Sequence, residues 1–271
     1  MDAVDMVKGH SHPRILAIVA AAAFVGMACP VFAAKDYLGV APPKVHGTPS
    51  VVTTCAACHG ADGVAVAPTF PNLAGQNYNY LLKSLEDFRS GKWKASPMDA
   101  IITTVPVAAH NHNIKQVAAY FSEQPLKPSS SVAAGEAKPT QAVAEAGYKL
   151  YFEGNPAAQV PACAACHIAS GLGDAPMAVP RLAGQNVAYV ISQLQAFAKG
   201  KRPSPDDVMK KISERLTEKD MRAVATYVHA MQPDLLPGGG GPLEFDAYKN
   251  ALKTQPVPGI PASGLAQPST P

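Results

Sequence analysis

Two stretches of the chain carry the same spacing of apolar side chains. Tyr78, Leu81, Leu82, Leu85 and Phe88 recur three and four residues apart, and Gly91 follows them. That recurrence is one face of an α-helix with a stop signal behind it. Tyr189, Val190, Ile191, Leu194 and Phe197 repeat Tyr80, Leu81, Leu82, Leu85 and Phe88, and Gly200 repeats Gly91. Each helical stretch is entered through one heptad, Pro71-Asn72-Leu73-Ala74-Gly75-Gln76-Asn77 in the first copy and Pro180-Arg181-Leu182-Ala183-Gly184-Gln185-Asn186 in the second. A further helix is predicted from about Asn113 to Glu123, closed by Pro125, and its Ala-x-Tyr element returns before Tyr227. Ile101 and Ile102 lie between the first pair of helices. No alternating strand pattern is present. The expectation is an all-α protein built as a tandem pair, with three or four short helices per copy.

The rest of the chain divides around these copies. Residues 127–140 shift to Ser, Pro, Ala and Gly without apolar periodicity, which is the composition of a linker. This gives a first domain over 34–126 and a second over 141–236, with a Gly/Pro-rich tail at 237–271. At the N-terminus Lys8 and Arg14 precede an apolar run from Ile15 to Ala28, and Val31-Phe32-Ala33 reads as a small-residue cleavage site. This is the layout of a secretory signal peptide over 1–33, and it sets the expected location as the periplasm. The competing reading is an uncleaved anchor, since Ile15 to Ala34 is just long enough to span a bilayer. Pro30 and the short apolar core favour cleavage. Cys29 follows Gly26-Met27-Ala28, a poor lipidation signal.

Charge narrows little. A formal +3 with no basic run is too slight to point to a nucleic-acid partner. Cysteine usage narrows a great deal. Of the five cysteines, four remain once the signal is removed, and all four sit in two identical pentads. These are Cys55-Ala56-Ala57-Cys58-His59 and Cys163-Ala164-Ala165-Cys166-His167. Cys-x-x-Cys-His is the sequence form of c-type haem attachment. Two thiols three residues apart on one helical turn can add to the two vinyl groups of one haem, and the following His then lies under the iron. A thiol redox pair would want a βαβ context, and a four-Cys zinc site would not call for a His after each pair. Two covalent haem c groups are therefore expected, each bringing two propionates.

A proximal His leaves one iron position to fill, and a Met thioether there raises the potential. Met98 is the only methionine between the signal segment and the second pentad. In the second copy Met209 follows Gly200 much as Met98 follows Gly91, with Met177 as the competitor; Met221 and Met231 read as packing. His110 and His112 are the alternative ligands in the first copy, and His229 in the second. Tyr80, Tyr189, Gln76, Gln185 and Trp93 are expected either against the haems and their propionates or as ordinary packing. Arg181 is a potential propionate partner, whereas its counterpart is the neutral Asn72.

Taken together, CxxCHGxDG, P-x-LAGQ, Y-x-x-x-x-L-x-x-F-x-x-G, a Met and an A-x-Y helix, given twice over about Thr53 to Gln232, resemble the dihaem cytochrome c4 family. The resemblance implies two cytochrome-c-like domains joined by a linker. It also implies iron ligation by His59 with Met98 and by His167 with Met209, and a role as periplasmic electron carrier to terminal oxidases. The chain departs from the pattern at Ile168, where the family has Gly, and over 104–112, which lacks the helix start that Leu216-Thr217-Glu218-Lys219-Asp220 retains.

The function expected is electron transfer, without catalysis, between respiratory partners. Those partners would be a quinol–cytochrome c reductase, a terminal oxidase or a periplasmic dehydrogenase. Any membrane association would come through the N-terminal segment or a partner. The alternative is a dedicated cytochrome subunit bound to a dehydrogenase or oxidase, which the long tail keeps open. A dihaem peroxidase would need an iron site that opens and acid–base groups beside it, and no spacing supplies them.

Overall fold

The computed structural model describes residues 41–94, 97–105, 110–126 and 140–231. The signal segment, residues 127–139 of the linker, the tail, and the side chains of His110 and His112 lie outside the described residues. The first copy consists of α1 (Val52–His59), α2 (Tyr78–Arg89), α3 (Met98–Thr104) and α4 (His110–Glu123). The second consists of α5 (Gln141–Phe152), α6 (Ala164–His167), α7 (Val187–Ala198), α8 (Val208–Ser213) and α9 (Glu218–Ala230). Among the described residues there is no strand, only the isolated bridges Asn155–Val160 and Asp174–Val179. The all-α expectation holds, and none of these helices is long and apolar enough to cross a membrane.

The two apolar faces pack as their spacing predicts. Leu81 and Leu82 of α2 meet Ile102 of α3 and Ile114, Val117 and Phe121 of α4 in one core. Val187 and Leu194 of α7 meet Val224, Tyr227 and Val228 of α9 in the other. Capping sets α9: the Thr217 hydroxyl accepts from Asp220 N–H at 3.1 Å, and the Asp220 carboxylate accepts from Thr217 N–H at 3.0 Å. This reciprocal box satisfies two amide donors that a helix start otherwise strands.

Helix α5 is the element that sequence periodicity misses. Its sequence QAVAEAGYKLYF is rich in Ala and carries Gly147 in the middle, which ordinarily argues against a helix. Packing explains the glycine. A Cβ there would run into the Ala223 carbonyl oxygen and lie 2.9 Å from the Tyr227 Cβ, so α5 and α9 cross with their backbones in near contact.

The heptads join the two copies by a reciprocal exchange. Gln76 donates from Nε2 to the Arg181 carbonyl (2.9 Å) and accepts at Oε1 from Arg181 N–H (2.8 Å). Gln185 does the same to Asn72, donating to its carbonyl (3.0 Å) and accepting from its N–H (2.8 Å). Asn72 and Arg181 occupy the same heptad position. The next pair follows suit: Asn77 Nδ2 donates to Val179 O (2.7 Å), and Asn186 Nδ2 donates to Phe70 O (2.8 Å). Both glutamines are buried. Losing either would strand a buried amide and a carbonyl, at about 1–3 kcal/mol per group. Gln76 and Gln185 thus stitch one copy to the other.

His229 anchors this seam from behind, where its Nδ1–H donates to the Gln185 carbonyl at 3.0 Å. Burial lowers its pKa to about 4. The unfolded chain takes up a proton near pH 6.5 and the folded one only near 4. Stability is therefore lost as pH falls through that window, by about 3 kcal/mol in all. Denaturant melts of wild type and His229→Gln at pH 7 and pH 4.5 should show a smaller acid loss in the variant.

Candidate haem-binding sites

Helix α1 carries Cys55 and Cys58 one turn apart and ends on His59. The ring is buried, and its Nδ1 lies 3.0 Å from the Pro71 carbonyl. In the second copy α6 ends on His167, also buried, with Nδ1 2.9 Å from the Pro180 carbonyl. A carbonyl only accepts, so Nδ1 carries the hydrogen and Nε2 keeps its lone pair. Burial also lowers the pKa of both rings and keeps them neutral. A neutral imidazole with one nitrogen tied back to a carbonyl is the form that ligates a metal. The proline of each heptad thus orients a histidine, while the Gln and Asn of the same heptad bridge the copies.

In the first copy a small apolar cavity has Cys55, Leu85, Met98, Ile101, Ile102 and Ile114 among its lining. Met98 opens α3, directly after Pro97, and so reaches the cavity wall that Cys55 also forms. In the second copy Cys163 and Met209 pack against one core, and the Met209 N–H is held by the Ser204 hydroxyl at 3.0 Å. Met221 and Met231 are buried in that core as packing residues. Met177 lies in the loop that the Asp174–Val179 bridge closes, and its N–H is bound by the Asp174 carboxylate at 2.9 Å. That loop leads into Pro180, on the side that holds His167, and its Ala175 carbonyl faces Asn79 of the other copy.

The thiol chemistry agrees with attachment sites. Burial pushes Cys55 up to about 11 and Cys163 up to about 12, the opposite of the depressed values a redox-active pair requires. No group of three or more His, Cys, Asp or Glu converges as a metal site among the described residues, so the two pentads do not form one zinc centre. What fits the donor set is a haem on each pentad, with a tied-back imidazole beneath it and apolar walls around it.

The turn after each His keeps one geometry but is made by different residues. Gly60 has φ 74° and ψ 151°, and Ile168 sits in nearly the same conformation at φ 57° and ψ 164°. This region is essentially reserved for glycine, and a β-branched residue there costs on the order of 1–3 kcal/mol. The Tyr151 hydroxyl, donating to the Ile168 carbonyl at 2.7 Å, helps hold the turn. Ile168 is 40% exposed and gains little from burial. Ile168→Gly should therefore stabilise the second copy by about 1 kcal/mol after glycine's own entropic cost, read as a higher denaturation midpoint.

Several aromatic and charged residues meet where the two copies join. Trp93 stacks on Phe88 at 4.1 Å and receives the Arg202 guanidinium on its ring at 4.0 Å. Arg202 also bonds the Tyr80 hydroxyl and, at 2.8 Å, Gln193 Oε1. Arg181 sends Nη1 to the Ala74 carbonyl of the other copy at 2.7 Å, and its buried Nε has no partner among the described residues. Sequence reasoning passed over Arg202, although the Gly91/Gly200 register already sets it opposite Trp93.

The chain is similar to known proteins. The family model for cytochrome c matches residues 47–124 and again 144–232. The cytochrome c4 of Azotobacter vinelandii is 37% identical over 184 residues, covering 65% of this chain and 84% of that protein. A thiosulfate dehydrogenase electron acceptor of Stutzerimonas stutzeri (strain A1501) is 33% identical over 183 residues, covering 67% and 80% respectively. The solved structure of reduced recombinant cytochrome c4 from Pseudomonas stutzeri superposes with a TM-score of 0.58 at 33% identity, covering 66% of this chain and 93% of that one. With one covalent haem c on Cys55 and Cys58 and a second on Cys163 and Cys166, the chain belongs to the cytochrome c family and, within it, to the dihaem electron-transfer cytochromes c4.

Proposed function

We propose that the chain is a periplasmic electron carrier in which His59 and Met98 ligate one iron and His167 and Met209 the other. When bound, haem c supplies one-electron exchange at iron with no bond made to a substrate. The chain's own residues make that exchange easy to reverse. The Pro71 and Pro180 carbonyls hold the imidazoles in one orientation and one tautomer, so neither ring reorients as charge changes. The domain boundaries read from sequence, with each copy a unit around its own haem, belong to the same proposal.

The observation that carries this reading is the cavity that Cys55 shares with Met98. It offers a thioether, while the described residues lining it include no carboxylate or imidazole to protonate a peroxide. Its donors and acceptors would be respiratory proteins, a quinol–cytochrome c reductase on one side and a terminal oxidase on the other. The second reading is a cytochrome dedicated to a periplasmic dehydrogenase, favoured by the likeness to a thiosulfate dehydrogenase electron acceptor. Stopped-flow mixing separates them. Reduced protein should be reoxidised by a membrane oxidase preparation and should not turn over hydrogen peroxide. Rapid peroxide consumption overturns the carrier reading, and co-purification with a dehydrogenase at high salt selects the second.

A further inference from the structure

Among the described residues two large apolar side chains stand out in solvent, Val66 at 61% exposed and Ile168 at 40%. A single exposed apolar side chain is ordinary, but the placement of these two is not. The Val66 N–H donates to the Cys58 carbonyl at 3.1 Å, and Ile168 directly follows His167. Each haem-attachment pentad therefore has one large apolar side chain in water beside it. The smaller Ala57 and Ala61 in the first copy, and Ala165 and Ala169 in the second, are exposed there too.

Ile168 is kept in this position against its own backbone preference. It holds φ 57° and ψ 164°, the conformation that Gly60 supplies without penalty in the first copy. Two bonds pin the turn. The Ile168 carbonyl accepts from the Gly171 N–H at 3.1 Å and from the Tyr151 hydroxyl at 2.7 Å, and Tyr151 is fully buried. A side chain this exposed gains little from packing, so fold stability does not account for isoleucine where glycine fits. Strain retained at a site that adds nothing to stability points to function. The surroundings also carry little charge. Residues 155–180 hold one charged side chain, Asp174, whose carboxylate turns back to the Met177 N–H at 2.9 Å. Arg215 reaches the Gln159 carbonyl at 3.0 Å with the opposite sign.

We propose that Ile168 is a contact residue of the second copy for a redox protein that presents an apolar, uncharged face. This rests on the electron-carrier reading but not on the identity of the sixth ligands. The step served is simple: one electron passes to the partner, which is reduced as the second haem is oxidised, and no bond or proton changes hands. An apolar side chain at such a contact excludes water and shortens the gap between the two centres. A near-neutral surface gives no long-range steering, so association depends on fit and only weakly on ionic strength. The contact is brief by construction, since one small apolar patch falls well short of a stable interface. A carrier has to let its partner go after each electron, and a patch of this size allows it.

Two rates measured on the intact dihaem protein test this in wild type, Ile168→Gly and Ile168→Val. One is electron self-exchange, read from the broadening of the second haem's methyl resonances in half-reduced samples. Here the second copy of the chain is itself the apolar partner. The other is reoxidation by a membrane oxidase preparation in stopped flow. Ile168→Gly should slow both by about fivefold or more, the effect of losing one contact residue, while Ile168→Val should stay near wild type. Wild-type rates should change by less than about twofold when salt is raised beyond the point where surface charge is screened. If Ile168→Gly raises the denaturation midpoint and leaves both rates as they were, Ile168 makes no contact and the proposal fails. A shifted haem spectrum or potential in Ile168→Gly would show that the side chain packs on the haem, and the proposal fails as well. A steep salt dependence would assign docking to charge and overturn it. If the membrane preparation does not reoxidise wild type, the oxidase reading falls, and self-exchange still decides the role of Ile168.

Discussion

Met98→His is expected to leave both haems attached and to lower the potential of one of them by on the order of 0.1 V or more, within the ~0.8 V span that axial ligands command. Attachment survives because the thioethers are made by Cys55 and Cys58 on α1, whereas Met98 opens α3 across the cavity. The potential falls because imidazole stabilises oxidised iron better than a thioether does. Met209→His should produce the matching change at the other haem, where α8 follows the Gly200 stop. A redox titration resolving two one-electron waves reads both variants. If neither wave moves in Met98→His, Met98 does not ligate iron. If both move equally, the two copies are more tightly coupled than the separate cores suggest.

Gly147→Ala is the second large effect, and it runs against propensity. Alanine in a helix interior is worth about 1 kcal/mol over glycine, so an exposed site would be stabilised. Here the new methyl meets the Ala223 carbonyl oxygen and the Tyr227 Cβ, and the nearest obstacle is backbone that cannot rotate aside. Relief requires α5 and α9 to move apart, which loosens Tyr151, Val224 and Tyr227 in the middle of the second core. Overpacking of this kind costs about 1–3 kcal/mol and more where backbone is the obstacle, so a net loss of about 2 kcal/mol is expected. Urea unfolding monitored at the second haem should show an earlier midpoint with the first haem unaffected. A midpoint equal to or above wild type would mean that the helices cross with more room than they show.

Haem attachment and the apolar faces were legible because each leaves a local signature. A covalent bond to haem needs two thiols and a His at fixed spacing, and α2 and α7 need a stripe of large side chains. Helix α5 left neither, since its contact with α9 is made by the absence of a side chain at Gly147. The seam was hidden for another reason. Gln76, Gln185, Asn77 and Asn186 pair with backbone groups more than a hundred residues away, and such partners have no pattern along the chain. Their identity in both heptads was visible, but it read equally well as a shared haem contact. Arg202 was overlooked because its counterpart Trp93 differs in chemistry, although the two converge in space.

The glutamine exchange has a consequence for how such a molecule is put together. A surface whose donors and acceptors answer those of its own copy is what two identical chains use to pair about a twofold axis. The peptide joining the halves then serves to raise their effective concentration and is not needed to make them fit. A nick within residues 127–139 should leave the fragments associated and both colours in one gel-filtration peak. Either half alone would present bare amide and carbonyl groups in search of a mate.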